Sequence, residues 1–132
     1  MKQTNNMYRK LILLAISIIL AACSREDGDW DPMEWDNRLD NTEVAAKGGS
    51  YSTTCKNYPS FWIGDIMENG QYVEITDPKL QTADGGWYVV SINGKKATFV
   101  FHANDSGTER TASVTLTAGD TFYTFRFKQK AQ

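Results

Sequence analysis

From Thr42 onward, short segments of the sequence alternate apolar and polar residues, and glycine, proline, asparagine or aspartate separates one segment from the next. A period of two is the spacing at which a β-strand turns successive side chains to opposite faces. Eight segments follow the pattern: 42–46, 50–57, 60–67, 71–76, 87–92, 95–103, 110–117 and 121–129. Short strands at this spacing predict an all-β domain, an antiparallel β-sandwich of seven to eight strands.

The last predicted strand shows the alternation most clearly. Tyr123, Phe125 and Phe127 fall on one face, and Phe122 falls on the other beside Thr124 and Arg126. The dipeptide Asn93-Gly94 directly follows the predicted strand 87–92, and this dipeptide is typical of a tight hairpin turn. These segments predict a core lined by one face of each strand, with Phe122 outside it.

The N-terminal 22 residues have the pattern of a cleaved signal peptide. Three basic residues precede an apolar run from 11 to 20 that only Ser17 interrupts, which is too short to span a bilayer because that takes about 20 residues. Leu20-Ala21-Ala22-Cys23 follows and resembles the cleavage motif of bacterial lipoproteins. The resemblance implies removal of 1–22 and acylation of Cys23, with palmitate as an expected chain. The alternatives are a buried helix and an ordinary secretory signal beside an incidental cysteine.

The charge is concentrated just after Cys23. Between Ser24 and Glu43 there are eight acidic and two basic residues, whereas from Val44 onward there are eight acidic and nine basic ones. Loss of the leader removes three positive charges, so the net charge changes from −2 to −5. An acidic balance argues against nucleic acid as a partner. Residues 23–41 are predicted to be an acidic flexible tether and 42–132 the folded domain.

The first acidic residues, Glu26, Asp27 and Asp29, also resemble the signal that exports Bacteroidetes lipoproteins to the cell exterior. That resemblance implies an outer-membrane protein that faces outward, while a plain solvated spacer explains the same residues. Acylation of Cys23 would leave Cys55 as an unpaired cysteine. Tyr51, Thr53 and Cys55 share one face of a predicted strand, so Cys55 is expected to be a small buried residue.

An ordered series of short motifs in the predicted domain resembles one known family. The series is Ala46-Lys47-Gly48-Gly49-Ser50, then Trp62, Gly86-Trp87, the segment from Ala103 to Ala112, and Phe127-Lys128-Gln129. This order is similar to the BACON domain of Bacteroidetes surface proteins and covers about residues 42–131. The resemblance implies an immunoglobulin-like β-sandwich in which Trp62 and Trp87 belong to the core. It also implies an association with glycans or mucin, although many members resemble spacers.

Residues for catalysis or for metal binding are scarce. His102 is the single histidine, and one histidine with one free cysteine cannot supply the three or four ligands of a zinc site. Asn104 to Glu109 could hold calcium, but a turn capped by Asn and Asp side chains explains those residues more simply. Nothing fixes two of the carboxylates Glu68, Glu74, Asp77 and Asp84 at a separation suited to glycosidic cleavage. We expect no catalytic residue, no metal and no cofactor.

The aromatic residues remain as candidates for binding. The mature chain has 15 Trp, Tyr and Phe residues, and a sandwich of this size buries only part of them. The candidate ligand-binding residues are Trp30, Trp35, Tyr58, Phe61, Tyr88 and Phe122; the two tryptophans are also expected to fold back on the domain. The predicted function is that of a non-catalytic, monomeric lipoprotein that binds a glycan or glycoprotein. The alternative is a structural component of a cell-surface protein complex that does not bind sugar.

Overall fold

The computed structural model describes residues 30–132 and divides the chain into two compact units, Met1–Asp31 and Pro32–Gln132. The predicted signal peptide, the motif from Leu20 to Cys23 and the tether residues up to 29 lie outside the described residues. Of the first unit only Trp30 and Asp31 are described, and both are exposed.

The second unit is an all-β sandwich of nine strands, so the predicted fold class is confirmed. The strands are β1 (Asn41–Val44), β2 (Gly49–Thr54), β3 (Trp62–Glu68), β4 (Gln71–Tyr72), β5 (Thr82–Asp84), β6 (Tyr88–Asn93), β7 (Lys96–Phe101), β8 (Arg110–Ala118) and β9 (Thr121–Gln129). One sheet has the order β1-β9-β8-β3-β4 and the other β2-β7-β6-β5. Across residues 30–132 there is no helix with the length and apolar character that crossing a bilayer requires.

All strand pairs are antiparallel except β1 and β9, which run parallel. The two strands are separated by most of the domain, so no tight turn forces them to be antiparallel. The predicted hairpin at Asn93-Gly94 is confirmed, since Asn93 pairs with Lys96 and Gly94 adopts a φ of 62°.

The core lies between the two sheets and is built mainly from the inward faces of β3, β6, β7, β8 and β9. Phe99 contacts Phe125 and Phe127 across the sandwich, with ring centroids 5.1 and 4.9 Å apart. Cys55 is a free, buried cysteine at the end of β2, as the pattern of its strand predicts. Burial of these side chains is the main stabilising contribution to the fold.

Residues 32–40, which the acidic composition assigned to the flexible tether, pack on the sandwich instead. Met33, Trp35 and Leu39 are buried. The segment also pairs with the free edge of β2, because Asp36 N–H donates to the Thr54 carbonyl and Lys56 N–H donates to the Glu34 carbonyl. We call residues 32–40 the N-terminal strap. The tether prediction is wrong here because three apolar side chains at alternate or nearby positions suffice to anchor an otherwise acidic segment.

Candidate functional site

Three of the six aromatic residues predicted to bind ligand are buried. Trp35, Phe61 and Tyr88 are 6%, 1% and 1% exposed. The Trp35 ring meets the edge of Phe61 at a centroid distance of 5.2 Å, and the Tyr88 ring lies over Gly85. Burial also raises the pKa of the Tyr88 hydroxyl above its ordinary value. These three predictions are wrong, because the rings are enclosed by other core side chains and cannot stack on a ligand.

The other three candidates differ in exposure. Trp30, in the N-terminal unit, is 48% exposed, and Tyr58 is partly buried against the core. Phe122 is 65% exposed and lies on the outer side of β9, as the alternation in its strand predicts. Of the predicted aromatic residues in the sandwich, Phe122 is therefore the one most available to a ligand.

Two further exposed aromatic residues, Trp62 and Tyr72, were not among the candidates. Trp62 is 36% exposed, so its predicted place in the core is wrong, and Tyr72 is 76% exposed. Trp87, also predicted to be core, is only partly buried and carries the Arg110 guanidinium 4.4 Å from its ring centroid. Tyr72 stands with Glu74 on the polar side of its alternating segment, and that signal could have identified it.

Trp62 points outward because β3 contains a β-bulge. The register between β3 and β8 shifts between Ile63 and Asp65, which leaves Gly64 as an extra residue. A bulge of one residue reverses the faces on one side of it relative to the other. Ile63 and Ile66 are consequently both in the core, and Trp62 is turned to the outer surface of the sheet.

The exposed aromatic residues of the sandwich share one surface, the outer surface of the five-stranded sheet, which we call the five-stranded face. Residues paired directly across strands point to the same side of a sheet. The register gives one row of paired residues that crosses all five strands and a second row that crosses β9, β8 and β3. The first is Asn41, Arg126, Ser113, Met67 and Tyr72, and the second is Phe122, Thr117 and Trp62.

A shallow groove of about 470 Å³ occupies one end of the five-stranded face. It crosses β1, β9, β8 and β3, and its lining includes Asn41, Glu43, Met67, Ser113, Arg126 and Lys128. Tyr72 lies next to the groove, because it pairs with Met67. Ligand pockets commonly have volumes of about 300–1,000 Å³, so the groove has room for a small ligand.

The charged residues at the groove are unequally neutralised. Lys128 forms an ion pair with Glu109 at 3.4 Å, and Lys130 pairs with Glu43 at 3.3 Å. Arg126 forms no ion pair with any of the described residues. Of the two cations that line the groove, Arg126 is therefore the one that has no ion-pair partner among residues 30–132.

Several residues of the sequence motifs form a hydrogen-bonded network at one end of the sandwich. Gln129 Nε2 donates to the carbonyls of Ala45 and His102, and its Oε1 accepts from Arg110 Nε at 2.8 Å. The buried Asn104 donates to the carbonyls of Thr108 and Lys130. Gln129 and Asn104 are both fully buried, so this part of the motif series holds the fold together and does not contact solvent.

The described residues offer little for catalysis. Among residues 30–132, no three His, Cys, Asp or Glu side chains are grouped closely enough to hold a metal ion. The turn predicted at Asn104 is confirmed, since its Oδ1 accepts hydrogen bonds from the backbone N–H and the hydroxyl of Ser106. Asp77 is engaged by the N–H groups of Lys79, Gln81 and Thr82, and these bonds hold the pKa of its carboxyl below the ordinary value. His102 is exposed.

The chain is similar to a solved structure, determined by NMR, of a protein from Bacteroides thetaiotaomicron. The two sequences are 36% identical, the match covers 81% of this chain and 93% of that one, and the TM-score is 0.73. The chain belongs to the family of this Bacteroides protein. Because the sequences are this similar over nearly the full length of the relative, the two proteins are expected to share the sandwich fold.

More distant similarity places the fold among immunoglobulin-like sandwiches. The M7 domain of titin matches with a TM-score of 0.52 at 13% identity, over 76% of this chain and 94% of that one. A three-domain I-band fragment of titin matches with a TM-score of 0.53 at 12% identity, over 78% of this chain and 33% of that one. At these identities the likeness concerns the fold alone. No protein-family model and no curated protein matches the chain.

Proposed function

We propose that the chain is a non-catalytic lipoprotein, anchored in the outer membrane through Cys23, whose sandwich binds glycan on the five-stranded face. The observation that carries the proposal is the position of Trp62, Tyr72 and Phe122. These are the exposed large aromatic residues of the sandwich, and all three lie on the face that contains the groove. Elsewhere in the sandwich, large aromatic side chains are buried or packed against the core.

The chemistry of this face suits a sugar. An aromatic ring offers a flat apolar surface, which can cover the C–H face of a pyranose ring. Between the aromatic residues the strands present hydroxyl groups, with Thr115 and Thr124 joined by a 2.8 Å hydrogen bond. A mixture of a few apolar platforms and many hydroxyl groups is typical of a site that orients a polar ligand by hydrogen bonds.

The resemblance of the motifs to the BACON domain supports the same proposal. The immunoglobulin-like fold and the Bacteroides relative agree with the setting of that family, which is associated with glycans at the cell surface. The motif residues Asn104 and Gln129 support the fold, whereas the motif residue Trp62 lies exposed on the five-stranded face, where it is available to a ligand.

A glycan array probed with the full-length protein in mild detergent tests the proposal. We expect retention of at least one polysaccharide, and Tyr72→Ala should weaken it about tenfold, the equivalent of about 1.4 kcal/mol. Val100→Ala is the matched control, because Val100 lies between buried Phe99 and Phe101 on the outer side of the other sheet. No retention of any glycan by the wild-type protein, or equal losses in the two variants, would contradict the proposal.

A second candidate function is a structural role in a cell-surface complex. The pair Trp62 and Phe122 favours it, since they flank Thr117 outside the groove and form an apolar patch that another protein could cover. Purification from membranes distinguishes the two functions. Recovery of one stoichiometric protein that is lost in Phe122→Ser and kept in Tyr72→Ala, without any bound glycan, would favour the structural role.

The proposed location is tested by protease treatment of intact cells. If the lipid anchor holds the sandwich outside the cell, added protease should remove or cleave it while periplasmic marker proteins stay intact. Complete protection of the sandwich in intact cells, with cleavage only after lysis, would contradict the outward orientation.

A further inference from the structure

Two cations, Arg126 and Lys128, line the groove on the five-stranded face, and within residues 30–132 only Lys128 of the two has an ion-pair partner. Arg126 is the second residue of the first row, with Asn41 on one side and Ser113 on the other. The two lysines nearest in sequence, Lys128 and Lys130, are each paired with a glutamate, whereas Arg126 forms no ion pair within residues 30–132. An arginine fork binds a carboxylate or sulfate through two parallel hydrogen bonds, which neutral sugars cannot match.

The neighbours of Arg126 add hydrogen-bonding groups on both sides. Asn41 and Ser113 both line the groove, and their amide and hydroxyl groups can bond the remaining oxygens of a sugar. The net charge of the region also permits an acidic ligand to approach. Of the charged residues that line the groove, Arg126 and Lys128 are basic and Glu43 is acidic, so the balance at the groove is positive.

The distance between Arg126 and Tyr72 sets the size of the ligand. Arg126 on β9 and Tyr72 on β4 belong to the same row and are separated by β8 and β3. Strands are about 4.8 Å apart, so three steps span about 14 Å. That span exceeds one sugar ring and fits a short stretch of polysaccharide, with one unit at each end.

We infer that the ligand is an acidic glycan, in which an anionic sugar binds Arg126 in the groove while a nearby ring stacks on Tyr72. The inference rests on the proposed function, because it specifies the class of sugar for the same face. The anionic group is a uronate carboxylate or a sulfate ester, which share the geometry that the guanidinium recognises.

The test compares polymers that differ only in charge. Affinity electrophoresis of the full-length protein is run with polygalacturonate and its methyl ester, and with dextran sulfate and dextran. We expect retention by at least one of the two anionic polymers and at least tenfold weaker retention by its neutral counterpart. The pair that shows the difference identifies carboxylate or sulfate as the recognised group.

Variants then show whether Arg126 is the cause. Arg126→Gln should weaken binding of the acidic polymer about 10- to 100-fold, as expected for loss of hydrogen bonds to a charged group. Arg126→Lys should recover only part of the affinity, because lysine keeps the charge and loses the fork. Lys96→Gln, which removes one exposed positive charge from the other sheet, controls for general charge and should bind like the wild type.

The two proposals fail in different ways. Equal retention of the charged and neutral polymers, or equal losses in Arg126→Gln and Lys96→Gln, would overturn the acidic-glycan inference and leave glycan binding standing. Absence of binding to every polymer here and to every glycan of the array would overturn both. Thermal unfolding of each variant confirms that a loss of binding does not come from a loss of fold, since Arg126 is an exposed residue.

Discussion

At the residue scale, Gly48 shows how closely the backbone that enters β2 packs against the end of β7. Gly48 has a φ of 93°, and an added Cβ would lie 2.3 Å from the Phe101 carbonyl oxygen. Gly86 has nearly the same φ, 87°, but nothing lies within 4 Å of its added Cβ. Gly86→Ala therefore incurs only the backbone strain, about 1–2 kcal/mol.

We expect Gly48→Ala to lower the free energy of unfolding by at least about 2 kcal/mol more than Gly86→Ala, because the steric overlap with backbone adds to the strain. Urea denaturation of the two variants measures the difference. Equal losses would mean that β2 and β7 separate easily at this point, and would contradict the close contact.

Asn104 gives a second prediction at this scale. Its side chain is fully buried, and its Nδ2 donates to the carbonyls of Thr108 and Lys130 at 2.8 and 3.0 Å. Asn104→Ala leaves these buried carbonyls without a donor and should lower the free energy of unfolding by about 2–4 kcal/mol. Asp105→Ala, at the exposed neighbouring position, should change it by less than about 0.5 kcal/mol. Similar values for the two variants in urea denaturation would contradict the structural role of Asn104.

The observed positions of individual aromatic side chains show what the sequence alone could predict. Alternation placed Phe122 outside and Phe125 and Phe127 inside, because β9 is a regular strand whose period is unbroken. Trp62 could not be placed in this way, since the bulge at Gly64 changes the phase of β3 and depends on pairing with β8. Exposure of an aromatic residue is readable from sequence only where the strand is regular.

At the scale of elements, the strap is the largest departure from expectation. Trp35 contacts Phe61, Phe125 and Tyr123 with ring centroids 5.2, 5.1 and 5.9 Å away. Asp36 accepts a hydrogen bond from Thr54 N–H at 2.8 Å, which holds the pKa of its carboxyl below the ordinary value. The sequence predicted that Trp35 folds back on the domain, and this is confirmed. The acidic composition hid the rest of the strap, because three buried apolar residues among many charged ones do not form a periodic pattern.

The strap makes a prediction that a flexible tether would not. Trp35→Ala should lower the free energy of unfolding by about 3–5 kcal/mol, because it leaves a cavity between aromatic rings. Glu34→Ala is the neighbouring control, since Glu34 is exposed and its hydrogen bonds are made by its backbone: its carbonyl accepts from Lys56 N–H and its N–H donates to Asn57 Oδ1. Its effect should stay below about 0.5 kcal/mol in the same denaturation experiment. A small effect of Trp35→Ala would restore the tether interpretation.

Two short strands, β4 and β5, differ from the sequence-based prediction because of their length. β5 has three residues, too few to show a period, and it forms within a segment that Asp77-Pro78 marks as a loop. β4 was predicted over 71–76 and has only two residues, although Val73 N–H still donates to the Ile66 carbonyl. The longer strands were predicted nearly in full because each contains several alternations. Sequence therefore predicted the sandwich, but it missed the edge strand β5 and overestimated the length of the edge strand β4.

The loop before β5 predicts how stability depends on pH. Asp77 accepts hydrogen bonds from three backbone N–H groups and from the Thr82 hydroxyl, and the bond from Lys79 N–H is the largest cause of its lowered pKa. The folded pKa lies below the ordinary value of 3.8, so the stabilisation is present above pH 3.8 and is lost as the pH falls through the folded value.

We expect Asp77→Asn to be less stable than the wild type at neutral pH and to lose less stability on acidification below pH 4. Thermal unfolding between pH 7 and pH 2 measures both effects. Asp120→Asn is the control, because Asp120 is exposed and its carboxylate accepts no hydrogen bond from residues 30–132. Parallel pH profiles for the wild type and Asp77→Asn would show that the loop carboxylate does not contribute to the acid sensitivity.

At the scale of the whole molecule, the strap shortens the predicted tether. The folded unit begins at Pro32, ten residues before the start that the alternation predicted, and only eight residues separate it from Cys23. A lipid on Cys23, as proposed, would be linked to the sandwich by these eight residues, which span at most about 29 Å when fully extended.

The anchor itself is testable by the contrast between the two cysteines of the chain. Cells that express the full-length protein and are grown with labelled palmitate should label the wild type and Cys55→Ser, and should not label Cys23→Ser. Cys55 is the matched control because it is buried at the end of β2 and is inaccessible to acylation in the folded protein. Label uptake is a sharper readout than detergent partitioning, since a Cys23→Ser chain that keeps its apolar leader would also enter detergent. Uptake that depends on Cys55, or on neither cysteine, would contradict the lipid anchor and with it the display of the five-stranded face at the cell surface.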